Sequence, residues 1–74
     1  MSQELRDLIK ATLNYYLREK LPLPASLFLI ILEVLHTLYK DDEELWSLLR
    51  KAWRMSAMLL GEKRFPSPDN ARTI

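Results

Sequence analysis

The sequence predicts an all-α protein built as a three-helix bundle, and three observations predict it. Apolar residues recur at the helical period in three separate stretches. Those stretches are divided by the pair Pro22 and Pro24 and by an acidic break at Asp41 and Asp42, residue types that interrupt helices or start them. The chain holds one glycine in 74 residues, fewer than the turns of a β-rich fold require. Helices are expected at about 3–20, 24–40 and 42–60, as a single domain over 1–61, with 62–74 an extended C-terminal tail.

The first helix begins near Ser2, a plausible N-cap, with Glu4 in the first turn where the helix dipole favours an anion. Leu5, Leu8, Ile9, Thr12, Leu13, Tyr15, Tyr16 and Leu17 fall on one broad face, and Asp7, Lys10, Asn14 and Arg18 on the other. Leu21-Pro22-Leu23-Pro24 then forces an extended path, with Leu21 and Leu23 as apolar clips. The P-x-P spacing does not match the P-x-x-P of ligands for aromatic grooves.

The second stretch, Ser26 to Lys40, is the most apolar, and the rest of the chain is expected to be organised around it. Leu27 to Leu32 is an unbroken apolar run, and with Val34, Leu35, Leu38 and Tyr39 it is long for a strand. It is short for a membrane span, which needs about 20 residues, and it contains Glu33 and His36. Ser26, Glu33, His36, Thr37 and Lys40 form a narrow polar stripe that also includes Leu29.

Asp41 or Asp42 caps the third helix, and Asp41 with Glu44 has the spacing of a capping box. The four consecutive acids lack the alternating ligands and the glycine of a calcium loop. Leu45, Trp46, Leu48, Leu49, Ala52, Trp53, Met55, Ser56, Ala57, Leu59 and Leu60 make the apolar face, opposite Ser47, Arg50, Lys51, Arg54 and Met58. Gly61 stands where a left-handed C-cap belongs. Beyond it, Pro66 and Pro68 end regular structure, and Phe65 is expected to pack back.

Each apolar arc spans roughly 200°, against roughly 100° for an ordinary surface helix. A lone three-helix bundle leaves part of that surface exposed, and a large exposed apolar patch marks an interaction site. A chain of this size with no cysteine has neither disulfides nor thiolate metal sites to stabilise it, which leaves oligomerisation. The sequence therefore predicts a small non-enzymatic protein–protein interaction module, assembled as a homodimer or with a tight heteromeric partner. Its expected interface residues are Tyr15, Tyr16, Phe28, Ile31, Leu35, Leu38, Trp46 and Trp53; of these Tyr15, Tyr16, Trp46 and Trp53 are the expected anchors, while Phe28, Ile31, Leu35 and Leu38, with Leu27, are also expected to hold the core.

Other chemistries find weaker support. Glu33 and His36 form the E-x-x-H spacing that resembles ferritin-like di-iron bundles, but both fall on the polar stripe and read as a solvated pair. No cofactor or metal is expected. There is no Gly-rich phosphate loop, and the serines stand unaccompanied by a base. Arg50, Lys51 and Arg54 are candidate phosphate contacts, so a dimeric DNA-binding regulator is the alternative. The net charge of +1 and the acids at the start of the same helix weigh against it and against an anionic membrane surface. No basic segment precedes an apolar one at the N-terminus, so a cytoplasmic protein is expected.

Overall fold

The computed structural model describes residues 3–61 and Pro68. The described chain is all-helical: α1 (Gln3–Glu19), α2 (Ala25–Leu38) and α3 (Glu43–Leu60). The predicted N-cap Ser2 and the predicted tail lie outside the described residues, except that Pro68 is fully buried. The Cα radius of gyration is 11.5 Å, close to about 11 Å for a compact chain of this length. No helix among the described residues is long and apolar enough to cross a membrane.

Each helix end has an identifiable cause. α1 closes with Lys20 in the left-handed region at φ 53°. The Lys20 amide donates to the Leu17 carbonyl at 3.3 Å and the Leu21 amide to that of Tyr16 at 3.0 Å, the paired bonds of a Schellman motif. A lysine rather than glycine holds that position, at a conformational cost. Pro24 precedes α2 in an extended conformation and offers no side-chain cap. α2 ends at Leu38, two residues short of the expected Lys40. The Trp46 indole Nε1–H donates to the carbonyls of Tyr39 at 3.1 Å and Lys40 at 3.0 Å. The side chain of the next helix thus satisfies the carbonyls that a further helical turn would have to place.

Asp42, not Asp41, caps α3: its carboxylate accepts from the Leu45 amide at 3.2 Å. Glu44 does not close a capping box and turns instead to the first helix. Gly61 ends α3 at φ 74°, as the sequence predicts, and its amide donates to the Ala57 carbonyl at 2.9 Å.

The helices run up, down and up, so the N-terminal ends of α1 and α3 are neighbours, and Arg6 of α1 reaches Asp42 and Glu44. α3 is the element against which the other two pack; α1 and α2 approach it far more than they approach each other. The organising element is therefore α3 and not the more apolar α2. α3 buries Leu45, Trp46, Leu49, Ala52, Trp53 and Ser56, whereas α2 buries Phe28, Ile31 and Leu35 and α1 buries Ile9 and Leu13. Two indoles supply apolar area, and Ala52 and Ser56 keep the helix slim beside Trp53, so α3 offers packing surface in two directions.

One polar bond inside the core joins the first connection to α3. The Leu23 amide donates to Ser56 Oγ at 2.7 Å, and that hydroxyl donates onward to the Ala52 carbonyl at 2.8 Å. Ser56 and the Leu23 side chain are both buried. The Leu-Pro-Leu-Pro segment is thus held by an apolar side chain and a satisfied amide together.

Candidate interaction surface

The eight residues expected at an interface divide into two groups. Phe28, Ile31, Leu35, Trp46 and Trp53 lie in the core of the single chain. For Phe28, Ile31 and Leu35 the sequence predicts this core position; Trp46 and Trp53, expected as interface anchors, also fill the space between this chain's own helices, and the Trp46 indole is engaged by the turn that follows α2. Tyr15 and Leu38 stand at the surface, and Tyr16 is half-buried against the core. The Tyr15 and Tyr16 rings meet edge to face with centroids 5.7 Å apart, and the Arg18 guanidinium lies 5.8 Å from the Tyr15 centroid. These contacts hold Tyr15 in place without removing it from solvent.

The large apolar residues that do face solvent are mostly ones the helical period alone did not single out. Leu8 on α1 is 63% exposed, and Ile30 on α2 is 60% exposed. Leu8, Thr12 and Tyr15 follow one another at spacings of four and three residues and share one flank of α1. Leu27, Ile30, Val34 and Leu38 form the equivalent flank of α2, with Leu27 and Val34 half-buried. Leu29 lies on the other side of α2 and is exposed, as its place in the polar stripe predicts. Met58, Leu59 and Leu60 form a separate exposed group at the end of α3.

Charged groups concentrate elsewhere. Arg6 Nε lies 2.6 Å from Asp42 Oδ2, Arg6 Nη2 lies 2.6 Å from Glu44 Oε1, and Lys10 Nζ lies 2.9 Å from Glu44 Oε2. The Arg6 hydrogen bond, assisted by the bond from the Leu45 amide, holds the Asp42 carboxyl below the usual carboxylate range. Arg6 and then Lys10 do the same for Glu44, and the two carboxylates keep the guanidinium firmly charged. This cluster ties α1 to α3 at one end of the bundle. Arg50, Lys51 and Arg54 lie on the side of α3 away from its buried stripe, with Lys51 and Arg54 exposed and Arg50 half-buried.

The E-x-x-H pair is not a solvated pair. Glu33 is exposed, but His36 is half-buried, and its Nε2 is enclosed without a hydrogen-bond partner among the described residues. His36 stands four residues after Leu32, which packs on the core, so the same flank draws the imidazole inward. No group of three His, Cys, Asp or Glu among the described residues is placed to hold a metal ion.

No protein-family model matches the chain, nor does any curated protein or solved structure.

Proposed function

We propose that this chain is a small protein–protein interaction module of the regulator, adaptor or inhibitor type, which docks through apolar helix surface that its own fold leaves uncovered. The observation that carries the reading is the exposure of Leu8, Tyr15, Ile30 and Leu38 beside a core already filled by residues of all three helices. Side chains of this size gain most by leaving water, and a contiguous apolar patch on a small chain is where binding energy is available. The non-enzymatic part of the reading rests on the sequence, which has no cysteine, one histidine and no phosphate-cradling loop.

A photo-crosslinking amino acid at position 30, compared with one at position 51, tests the reading in cells that make the protein. A polypeptide adduct from position 30 and none from position 51 is the expected result. Absence of any polypeptide adduct from position 30 overturns it, whether the adduct sought is a second copy or another protein.

The exposure of Lys51 and Arg54 on the outer side of α3 supports the second reading, a dimeric DNA-binding regulator. Against it, Asp42 and Glu44 at the start of α3 are engaged with α1, at the end from which a recognition helix reads bases. A mobility shift with generic duplex at low salt tests it, and no shift at micromolar protein removes it.

A further inference from the structure

We infer that the docking partner is a second copy of this chain, seated by two-fold symmetry on the face shared by α1 and α2, so that four helices close a second apolar layer. The inference rests on the docking reading above and goes on to name the occupant.

The helical period places the face. On α1, burial is skewed toward the flank of Arg6 and Lys10, whose side chains reach α3. Leu8, Thr12 and Tyr15 occupy the opposite flank. On α2, burial is skewed toward Leu32, His36 and Tyr39, and Leu27, Ile30, Val34 and Leu38 lie on the opposite side. α1 and α2 are consecutive antiparallel helices, both resting on α3. The helical register therefore turns both flanks to the side of the molecule away from α3, with little direct contact between α1 and α2 themselves.

The composition of this face suits a copy of itself. Neither flank carries a charged side chain between its apolar positions, and Glu4 and Glu19 at the two ends of the α1 stripe are exposed at its rim, so closing the face leaves no buried unpaired charge. The Thr12 hydroxyl already donates to the Leu8 carbonyl at 2.8 Å, so covering it strands no donor, and the Tyr15 hydroxyl has to reach water at the rim of the contact. Leu8 and Tyr15 stand almost evenly to either side of Thr12. An antiparallel apposition of two α1 helices sets Leu8 of one copy against Tyr15 of the other, twice, as an isologous contact requires. The fractional exposures of Leu8, Tyr15, Ile30 and Leu38, with smaller shares from Leu27 and Val34, amount to roughly 500 Å² of side-chain surface per copy. Two copies closing that surface completely bury at most about 1,000 Å² from these residues, the least that a specific interface should clear.

Sedimentation equilibrium of the full chain from low to high micromolar concentration tests the inference, with far-UV circular dichroism as the control for folding. The wild type is expected to approach twice the chain mass. Ile30→Asp and Leu8→Asp are expected to raise the dissociation constant at least tenfold while keeping wild-type helix content, because both positions are solvent-facing in the single chain. Met58→Asp, 80% exposed but outside the face, is expected to leave the dimer unchanged. A wild type that stays monomeric throughout overturns the inference. So does a dimer that survives Ile30→Asp and Leu8→Asp, or one that Met58→Asp dissociates. A monomer whose position 30 crosslinks to a different protein removes the second copy while leaving the docking reading in place.

Discussion

Removing one hydroxyl from the core is expected to cost a large share of this protein's stability. Ser56→Ala deletes the acceptor of the Leu23 amide, which lies 2.7 Å from Ser56 Oγ. Ser56 is 1% exposed and Leu23 2% exposed, so solvent does not replace the lost partner. A buried donor left unsatisfied costs about 1–3 kcal/mol. The hydroxyl's own bond to the Ala52 carbonyl matters less, because that carbonyl also serves the helix ladder. Alanine recovers about 0.5 kcal/mol of helix propensity over serine. The net loss is about 0.5–2.5 kcal/mol, against about 3–5 kcal/mol for a single core of this size. With a urea dependence of about 1 kcal/mol/M for so small a chain, the midpoint falls by about 0.5–2.5 M, read by circular dichroism. Native-state hydrogen exchange adds a local readout, since the Leu23 amide loses its protection in the variant. A stability change below about 0.5 kcal/mol, with the Leu23 amide still protected, would refute the reasoning.

Three further outcomes follow from particular contacts. Trp46→Phe removes the donor shared by the Tyr39 and Lys40 carbonyls together with part of a fully buried ring, and is expected to cost about 2–3 kcal/mol by urea unfolding; a change under half of that would show that the Asp42 amide, which also donates to the Tyr39 carbonyl, and solvent serve those carbonyls. Lys20→Gly relieves a left-handed lysine and Gly61→Ala creates a left-handed alanine whose Cβ meets nothing within 4 Å, so thermal melts should show opposite shifts, each worth about 1 kcal/mol. Asp42 and Glu44 have folded-state pKa values below their ordinary ones. Their contribution is therefore fully present above about pH 5 and is lost as pH falls through the ordinary values toward the depressed folded ones. Asp42→Asn, which retains a capping oxygen but no charge, should flatten that acid limb of the urea midpoint; an unchanged limb would show that the Arg6 pair is screened to nothing.

Helix number and most helix ends were legible because local chemistry decides them. Prolines, an aspartate cap and a lone glycine act within a few residues of where they stand. The end of α2 was less so, since the carbonyls just past it, of Tyr39 and Lys40, are engaged by Trp46, a residue in the next helix. The choice among core residues was harder still. An apolar arc of roughly 200° has no single inward direction, so periodicity placed Ile31 in the core but left Ile30 in the same arc, with no sign that it would face solvent. It also made the longest apolar run look like the centre of the molecule. That role fell to α3, where total hydropathy is lower but rings alternate with small residues along one stripe. The pairing of Ser56 with the Leu23 amide left no local signal, because it joins residues 33 apart in the chain. His36 was read as solvated for the same reason: which flank of α2 turns inward depends on where α3 lies.

Ile30 and Ile31 separate folding from docking at adjacent positions. Ile31 is 4% exposed and belongs to the core cluster, while Ile30 is 60% exposed on the flank turned away from α3. An aspartate at position 31 is an unpaired charge in an apolar site, a cost of several kcal/mol that consumes a total of about 3–5 kcal/mol. Ile31→Asp is therefore expected to abolish cooperative unfolding. The same substitution at position 30 adds only the modest helix propensity difference between the two residues, so Ile30→Asp keeps the helices and loses association. Because the two variants have identical composition and net charge, solubility and nonspecific electrostatics cancel between them. What remains is the direction each side chain faces. Two folded variants would mean the core assignment of α2 is rotated, two unfolded ones would mean Ile30 is enclosed within the single chain, and either result would remove the surface on which the docking reading rests.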